Sequence, residues 1–583
     1  MKKLYKVITD FEATCSVTEE KNEGGVRCVR FSFDYADELS QRDRVIEITR
    51  SFPVADVVGS WHPGSGTNRA LVADWIAPKS SMTAQYAPVM SFYNGNGVNR
   101  RTFGWSEINE KVDLQYGVHE ENGEMICATK IHLTRQTAPR HYEVVVREVE
   151  TAKPYWEVLH DMMEWWEEQG LEYLPAPLAA KEPLYSFWYS YHQDVNEENV
   201  EAECQRAADM GFSTVIVDDG WQTADNSRGY AFCGDWEMAP SKFHDFPAHV
   251  KRVQAMGLKY MLWFSVPFVG VYSKAWERFK EKILYMVSEQ WGVLDIRYAE
   301  CREYLIQLYE RAVFEWGLDG LKLDFIGSLQ LHPESPAWNE QMDYVDVQAA
   351  LVSLLTEVKK RLCAKKPDIL LEFRQAYVGP QIQTFGNMLR VTDCPYSGIS
   401  NRVGIADLRL LSKKAAVHSD MLMWHRDEKT EDAALQVLCC LFGTLQFSVQ
   451  LDGLTDETKK MILFWMQFMR EHRELLQSSQ IRPLEPENLY PEISVCDGKD
   501  TVLAHYSKGR VVNLTAEHKT MYYVHAVKED DVVVRNCDGR AYRYFVVNCM
   551  GEEVANGEIV NTLTELHVPC AGLVVFTTIG ECC

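Results

Sequence analysis

Between residues 178 and 480, short apolar runs alternate with stretches of 3.6-residue apolar periodicity. The runs fall at 184–191, 214–221, 259–267, 320–327, 369–376, 388–394, 416–424 and 444–450. Each has the length of a buried strand. Helical patterns lie between most of them: 200–210 with Asn196 and Gly211 in cap positions, 303–315, 345–364, and 456–477 with Thr455 as N-cap. Eight strand–helix units over about 300 residues predict a (β/α)8 TIM barrel. An open doubly wound sheet is the alternative, but no glycine-rich phosphate loop follows the first strand.

On either side the period drops to two. Residues 27–33 and 141–147 alternate as half-buried strands do, and turn chemistry such as Asn22-Glu23-Gly24-Gly25, Asn94-Gly95-Asn96-Gly97 and Asn122-Gly123 separates such segments. The first long helical stretch is 155–170. The expectation is an α/β chain in three parts: an N-terminal β-sandwich domain (1–177), the barrel (178–480), and a small C-terminal antiparallel β domain (481–583), with Pro175-Ala176-Pro177 as the first linker.

The run Gly320-Leu321-Lys322-Leu323-Asp324-Phe325 breaks the apolar rule. Strand side chains alternate, so Lys322 and Asp324 project to one side and the leucines and Phe325 to the other. Two charges on the inner side of a buried strand are costly unless paired or used. A Lys–Asp pair that merely closes a core is the plain alternative. The other strand ends, however, are polar in the same way: Asp218-Asp219-Gly220-Trp221 on the second, Trp263 on the third, Glu372-Phe373-Arg374-Gln375 on the fifth, Arg390-Val391-Thr392-Asp393 on the sixth, and His418-Ser419-Asp420 on the seventh. In a barrel of this kind the C-terminal strand ends carry the chemistry. Carboxylates accept hydrogen bonds from sugar hydroxyls while an indole covers the apolar ring face. Two carboxylates facing one pocket are what glycoside cleavage requires, one to attack or activate water and one to protonate the leaving oxygen.

Composition narrows the partners. The net charge is −24, with no basic stripe able to neutralise phosphates, which excludes nucleic acid and disfavours an anionic membrane surface. The 16 cysteines show no CxxC pair and no zinc-site spacing, so no metal is expected and reduced core thiols are. The start of the chain is not that of a signal peptide, and no apolar run reads as a membrane span; the expected location is the cytoplasm.

Asp218-Asp219-Gly220-Trp221, then Lys322-Leu323-Asp324-Phe325, then Asp393, in that order on a barrel between two β domains, resembles glycoside hydrolase family 36, the melibiase or α-galactosidase family, of the same clan as family 27. The resemblance implies a retaining, exo-acting α-galactosidase that works by double displacement on a small α-galactoside or related glycoside, without cofactor or metal. It implies Asp324 as nucleophile and Asp393 as general acid/base. It further implies Asp218 and Asp219 as ligands of the sugar 4- and 6-hydroxyls, with Trp221 beside them, and Lys322 as a contact to hydroxyls near the nucleophile. Trp263 matches an aromatic wall, Trp61 in the loop Gly59-Ser60-Trp61-His62-Pro63-Gly64 a tryptophan reaching in from the N-terminal domain, and Arg390 an arginine near the acid/base. The family is often oligomeric, which leaves a homo-oligomer open. Strand 5 departs from the pattern. Many members carry Cys-Ser-Gly-Gly-Gly there, near the sugar 2-position; this chain has Glu372-Phe373-Arg374-Gln375-Ala376-Tyr377, so Arg374 is expected to meet the substrate. N-acetylgalactosaminidase or transglycosylase activity, and sugar binding without turnover, are the other readings.

Overall fold

The structure is a computed structural model that describes residues 4–35, 44–133 and 140–579. The basic residues 1–3 that open the chain lie outside it. Eight parallel strands form the centre: β1 Leu184–Ser186, β2 Thr214–Val217, β3 Lys259–Ser265, β4 Gly320–Asp324, β5 Leu370–Arg374, β6 Met388–Arg390, β7 Ala416–His418 and β8 Gln446–Phe447. The sheet runs from β7 down to β1 in order, and β1 then pairs with β8. Parallel bridges from His418 to Thr444 and from Leu422 to Phe447 close the ring.

The interior changes character along the strand direction. At the N-terminal end, Leu184, Ile216, Met261, Leu370, Met388 and Ala416 form an apolar cluster. Two residues further along β3, β5, β6 and β7 stand Trp263, Glu372, Arg390 and His418, all buried, joined by Lys322 of β4 and Gln446 of β8. The odd-parity residues Val215, Leu262, Leu321, Leu323, Leu371 and Leu389 pack outward against the helices in the main core. Period-two patterning thus places every second residue of a buried strand in the barrel lumen, where its upper half is polar.

The surrounding helices follow the capping chemistry read from the sequence. Helix Glu197–Asp209 starts at Asn196, whose side chain accepts from Asn199 N in a reciprocal capping box. Helices Ala299–Phe314 and Val347–Lys365 pack against each other. Helix Asp456–Glu471 is capped by Thr455, and the expected stretch to residue 477 continues beyond it only as the π-helical Glu474–Ser478. A three-stranded antiparallel excursion (Phe268–Gly270, Ile283–Ser288 and Trp291–Leu294) is inserted between β3 and β4, which periodicity did not distinguish from loop.

Residues 5–149 form a five-stranded and a six-stranded antiparallel sheet around a shared apolar core that includes Phe31, Phe33, Ile46, Ile48, Phe103 and Leu114. Helix Tyr155–Glu168 then leads to the barrel. Residues 482–579 form a seven-stranded and a three-stranded sheet. These are mixed rather than purely antiparallel: Asp500–His505 pairs in parallel with Thr520–His525, and Val511–Leu514 with Asp531–Asn536. Among the described residues no helix is long and apolar enough to cross a membrane.

Candidate active site

Asp324 ends β4, and the chain turns at once: Phe325 lies in the left-handed region at φ 61°, a strained conformation for a bulky residue. Its ring is held by Phe268 at 4.7 Å and Tyr230 at 5.3 Å. The turn aims Phe325 N back at Asp324 Oδ1, 2.7 Å away. Arg374 Nε donates to the same oxygen at 2.9 Å, and Tyr377 OH donates to it as well. Oδ2 accepts from Trp263 Nε1 at 3.0 Å. Burial alone would raise this carboxyl. The charges of Arg374 and then Lys322, with the hydrogen bonds from Tyr377 and Trp263, outweigh burial and hold it well below the usual carboxylate range. Asp324 is therefore an anion at any physiological pH.

Lys322 shares the inner face with Asp324, as its parity required, but its direct partner is Asp218, with Nζ 2.5 Å from Oδ2. Both side chains are almost fully buried. Asp219 follows in the turn after β2. Its Oδ2 accepts from Gln193 Nε2 at 2.7 Å and its Oδ1 from Gln222 Nε2 at 2.6 Å. Burial raises its carboxyl to about 6 even against these two bonds.

Asp393 lies three residues beyond the end of β6, and its side chain is 47% exposed, in contrast to the buried Asp324. Arg390 Nη2 donates to its Oδ1 at 2.8 Å. Partial burial pushes the carboxyl up, but the charges of Arg390, Lys322 and Arg374 hold it below its ordinary value. Arg374, which holds Asp324, and Arg390, which holds Asp393, stand in register on the adjacent strands β5 and β6, which brings the two carboxylates to neighbouring strand ends. Beneath them, Arg390 is 1% exposed and also pairs with Asp420 and, at 3.7 Å, with Glu372. Gln446 Nε2 donates to Glu372 Oε2 at 2.6 Å, and Tyr189 OH to Asp420 Oδ2 at 2.9 Å. Burial raises both Glu372 and Asp420. His418 accepts no such charge: burial lowers it to about 4, and it sits between Ala180 O and Gln446.

Of the ten residues singled out in the sequence, Asp324, Asp393, Asp218, Asp219, Lys322, Trp263 and Arg374 come together at the C-terminal mouth. Three are elsewhere or otherwise engaged. Arg390 is enclosed by carboxylates and touches the mouth only through Asp393. Trp221 is fully buried below the site; its Nε1 donates to Trp263 O, and Trp236, Phe246, Phe264 and Trp316 surround its ring. Trp61 does not reach the cleft. It ends the strand Gly59–Trp61, is fully buried, and donates to Asp407 Oδ1 at 2.9 Å and Tyr490 OH at 3.1 Å. The glycine- and proline-rich loop after it is packed, so this indole has a core to join after all. The N-terminal sheets instead meet the mouth at Tyr86, whose N donates to Ala376 O at 2.9 Å. Tyr377, Tyr189, Gln193 and Gln222 were not singled out. Tyr377 alone carried a signal, as it lies in the strand-5 departure; the others become visible only through their partners.

Two carboxylates, one buried and clamped as an anion and one half-open to solvent, thus stand at the mouth of a (β/α)8 barrel. The melibiase family model matches residues 179–479. The chain belongs to that family. Among curated relatives it is 26% identical over 226 residues to alpha-galactosidase Mel36A of Lactobacillus acidophilus, which covers 35% of this chain and 30% of that protein. It is 22% identical over 394 residues to the bifunctional alpha-galactosidase/sucrose kinase AgaSK of Mediterraneibacter gnavus, covering 62% of this chain and 38% of the relative. These matches span well under half the length of the relatives. Among solved structures, the alpha-galactosidase AgaA of Geobacillus stearothermophilus superposes with a TM-score of 0.65 at 15% identity, covering 97% of this chain and 81% of that one. That of Lactobacillus brevis gives 0.67 at 14% identity, with 99% and 85% covered. These likenesses extend the shared fold to the flanking β regions. Variants of AgaA have been seen in complex with stachyose and raffinose.

Proposed function

We propose that this chain is a retaining, exo-acting α-galactosidase. The observation that carries the reading is a pair of carboxylates held by arginines in register on adjacent strands, Asp324 buried on Arg374 and Asp393 half open on Arg390. Asp324 attacks C1 of the galactosyl unit. Asp393 in its protonated form gives its proton to the departing oxygen. A sugar seated over the exposed side of Asp393 strips water from it, which raises the carboxyl towards the range a general acid needs. Once Asp324 is esterified its charge is gone, and Asp393 as carboxylate takes a proton from the incoming water. Asp218 and Asp219 accept hydrogen bonds from galactose hydroxyls, and Lys322 fixes Asp218 for that role. Raffinose and stachyose, which a structural neighbour binds, are the oligosaccharides to try.

The test is kcat/KM on matched aryl α-glycosides: galactoside, N-acetylgalactosaminide, glucoside and β-L-arabinopyranoside. The galactoside should lead by orders of magnitude. Asp324→Gly should lose this activity and regain part of it with azide, yielding the β-galactosyl azide. A lead for the N-acetylgalactosaminide would transfer the reading to that sugar. A folded Asp324→Gly protein that keeps full hydrolysis would sink the mechanism.

A further inference from the structure

The two oxygens of Asp324 are not equivalent. Oδ1 accepts three hydrogen bonds, from Phe325 N, Arg374 Nε and Tyr377 OH, whereas Oδ2 accepts one, from Trp263 Nε1. The donors on Oδ1 are fixed. Tyr377 is 5% exposed, and its hydroxyl also accepts from Phe325 N at 3.1 Å. The Arg374 guanidinium lies between the rings of Phe325 and Tyr377, at 5.5 and 5.4 Å from their centroids. An oxygen with three donors has no lone pair left for a carbon centre; an oxygen with one does.

Resting on the reading of Asp324 as nucleophile, we infer that Oδ2 is the attacking atom, that Oδ1 becomes the carbonyl oxygen of the glycosyl ester, and that Arg374 and Tyr377 act chiefly on the second step of the reaction. In the first step an Oδ2 lone pair forms the bond to C1. The bond from C1 to the leaving oxygen breaks, with its electron pair going to that oxygen, which takes the proton of Asp393. In the second step a water oxygen bonds to C1 and passes its proton to Asp393. The C1–Oδ2 bond breaks, and its electron pair returns to Asp324 as carboxylate. Fixed donors stabilise an anion more than a neutral ester. The anion is the starting state of the first step and the product of the second. The clamp therefore restrains attack and assists release, and it makes Asp324 a good leaving group rather than a strong nucleophile.

Tyr377→Phe removes one donor with little change in shape, and Arg374→Lys keeps the charge but loses the Nε–H. Both are assayed against wild type on 2,4-dinitrophenyl α-galactoside, whose leaving group needs little help from Asp393. Wild type should show no burst of phenol. Tyr377→Phe should show a stoichiometric burst followed by a steady rate lowered about 10- to 100-fold, the worth of one hydrogen bond to a charged group. KM should fall along with kcat, so that kcat/KM changes by less than about threefold. Intact mass of the quenched Tyr377→Phe protein should show the galactosyl adduct. Arg374→Lys should shift in the same direction. Parallel loss of kcat and kcat/KM without a burst, or unchanged kinetics in both variants, would overturn the clamp while leaving the α-galactosidase reading intact. Absence of turnover in wild type would remove that reading and the clamp with it.

Discussion

Burial lifts the Asp219 carboxyl to about 6, close to neutrality. On the proposed reading, ionised Asp219 accepts from sugar hydroxyls; protonated, it loses its charge and offers a donor instead. Sugar capture should therefore weaken as pH falls through about 6, giving kcat/KM for an aryl galactoside an acid limb with its midpoint there. Gln222 and Gln193 both favour the ionised form. Gln222→Ala should move the limb to higher pH, and a limb that stays in place would remove Asp219 from the sugar contacts. At this scale the sequence was a partial guide. Parity put Lys322 and Asp324 on one face, and their shared face is what the fold uses. Parity could not say that Lys322 would reach across to Asp218 on β2, a partner 104 residues away in the chain. The tryptophans were less legible still. An indole in a loop and an indole in a core look alike until its neighbours are known, and the neighbours of Trp61 lie 346 and 429 residues downstream.

At the scale of elements, all eight barrel strands were visible as short apolar runs, and all eight readings ran past the observed C-terminal ends. The reason is physical. The residues just beyond β2, β6 and β7 keep a strand-like composition, but their backbones leave the ladder, which puts Asp218 and Asp393 at the mouth and Asp420 beneath it on Arg390. Close approach between strands also leaves a mark. Gly320 opens β4 at a point where an added Cβ would meet Leu370 O at 2.5 Å, Leu370 Cβ at 2.6 Å and Met261 Cγ at 2.9 Å. Two of these belong to the neighbouring strand β5 and one to β3, so the methyl has nowhere to go without parting the sheet. Gly320→Ala should cost about 1–3 kcal/mol of stability, as overpacked cores do. The check is the midpoint of urea unfolding followed by far-UV circular dichroism. A midpoint equal to that of wild type would mean that β4 can shift outward freely, and the registry that aligns Asp324 with Ser265 would then be looser than the ladder implies.

At the scale of the whole molecule, one buried ion pair ties all three regions together. Arg69 and Trp61 come from the N-terminal sheets, Asp407 from barrel helix Gly398–Leu410, and Tyr490 from the start of the C-terminal region. Arg69 Nη2 donates to Asp407 Oδ1 at 2.8 Å and to Oδ2 at 2.5 Å, while Trp61 Nε1 and Tyr490 OH share Oδ1 at 2.9 and 2.6 Å. The side chains of Arg69 and Asp407 are 1% and 3% exposed, so neither charge has water to fall back on. Asp407→Ala leaves a buried guanidinium without its anion, which should cost about 3–5 kcal/mol. The cluster lies away from the carboxylates at the mouth, but the N-terminal sheets also hold the strand-5 turn through the bond from Tyr86 N to Ala376 O, next to Tyr377. Loosening the interface should therefore reach the Asp324 clamp through that turn. In Asp407→Ala, tryptophan emission should shift to the red at lower urea than the far-UV signal, as Trp61 is uncovered before the barrel melts, and the proposed galactosidase activity should be lost along the first transition. Coincident transitions, with activity surviving until the barrel unfolds, would mean that the N-terminal sheets are held by their apolar contacts alone and that the ion pair only satisfies itself.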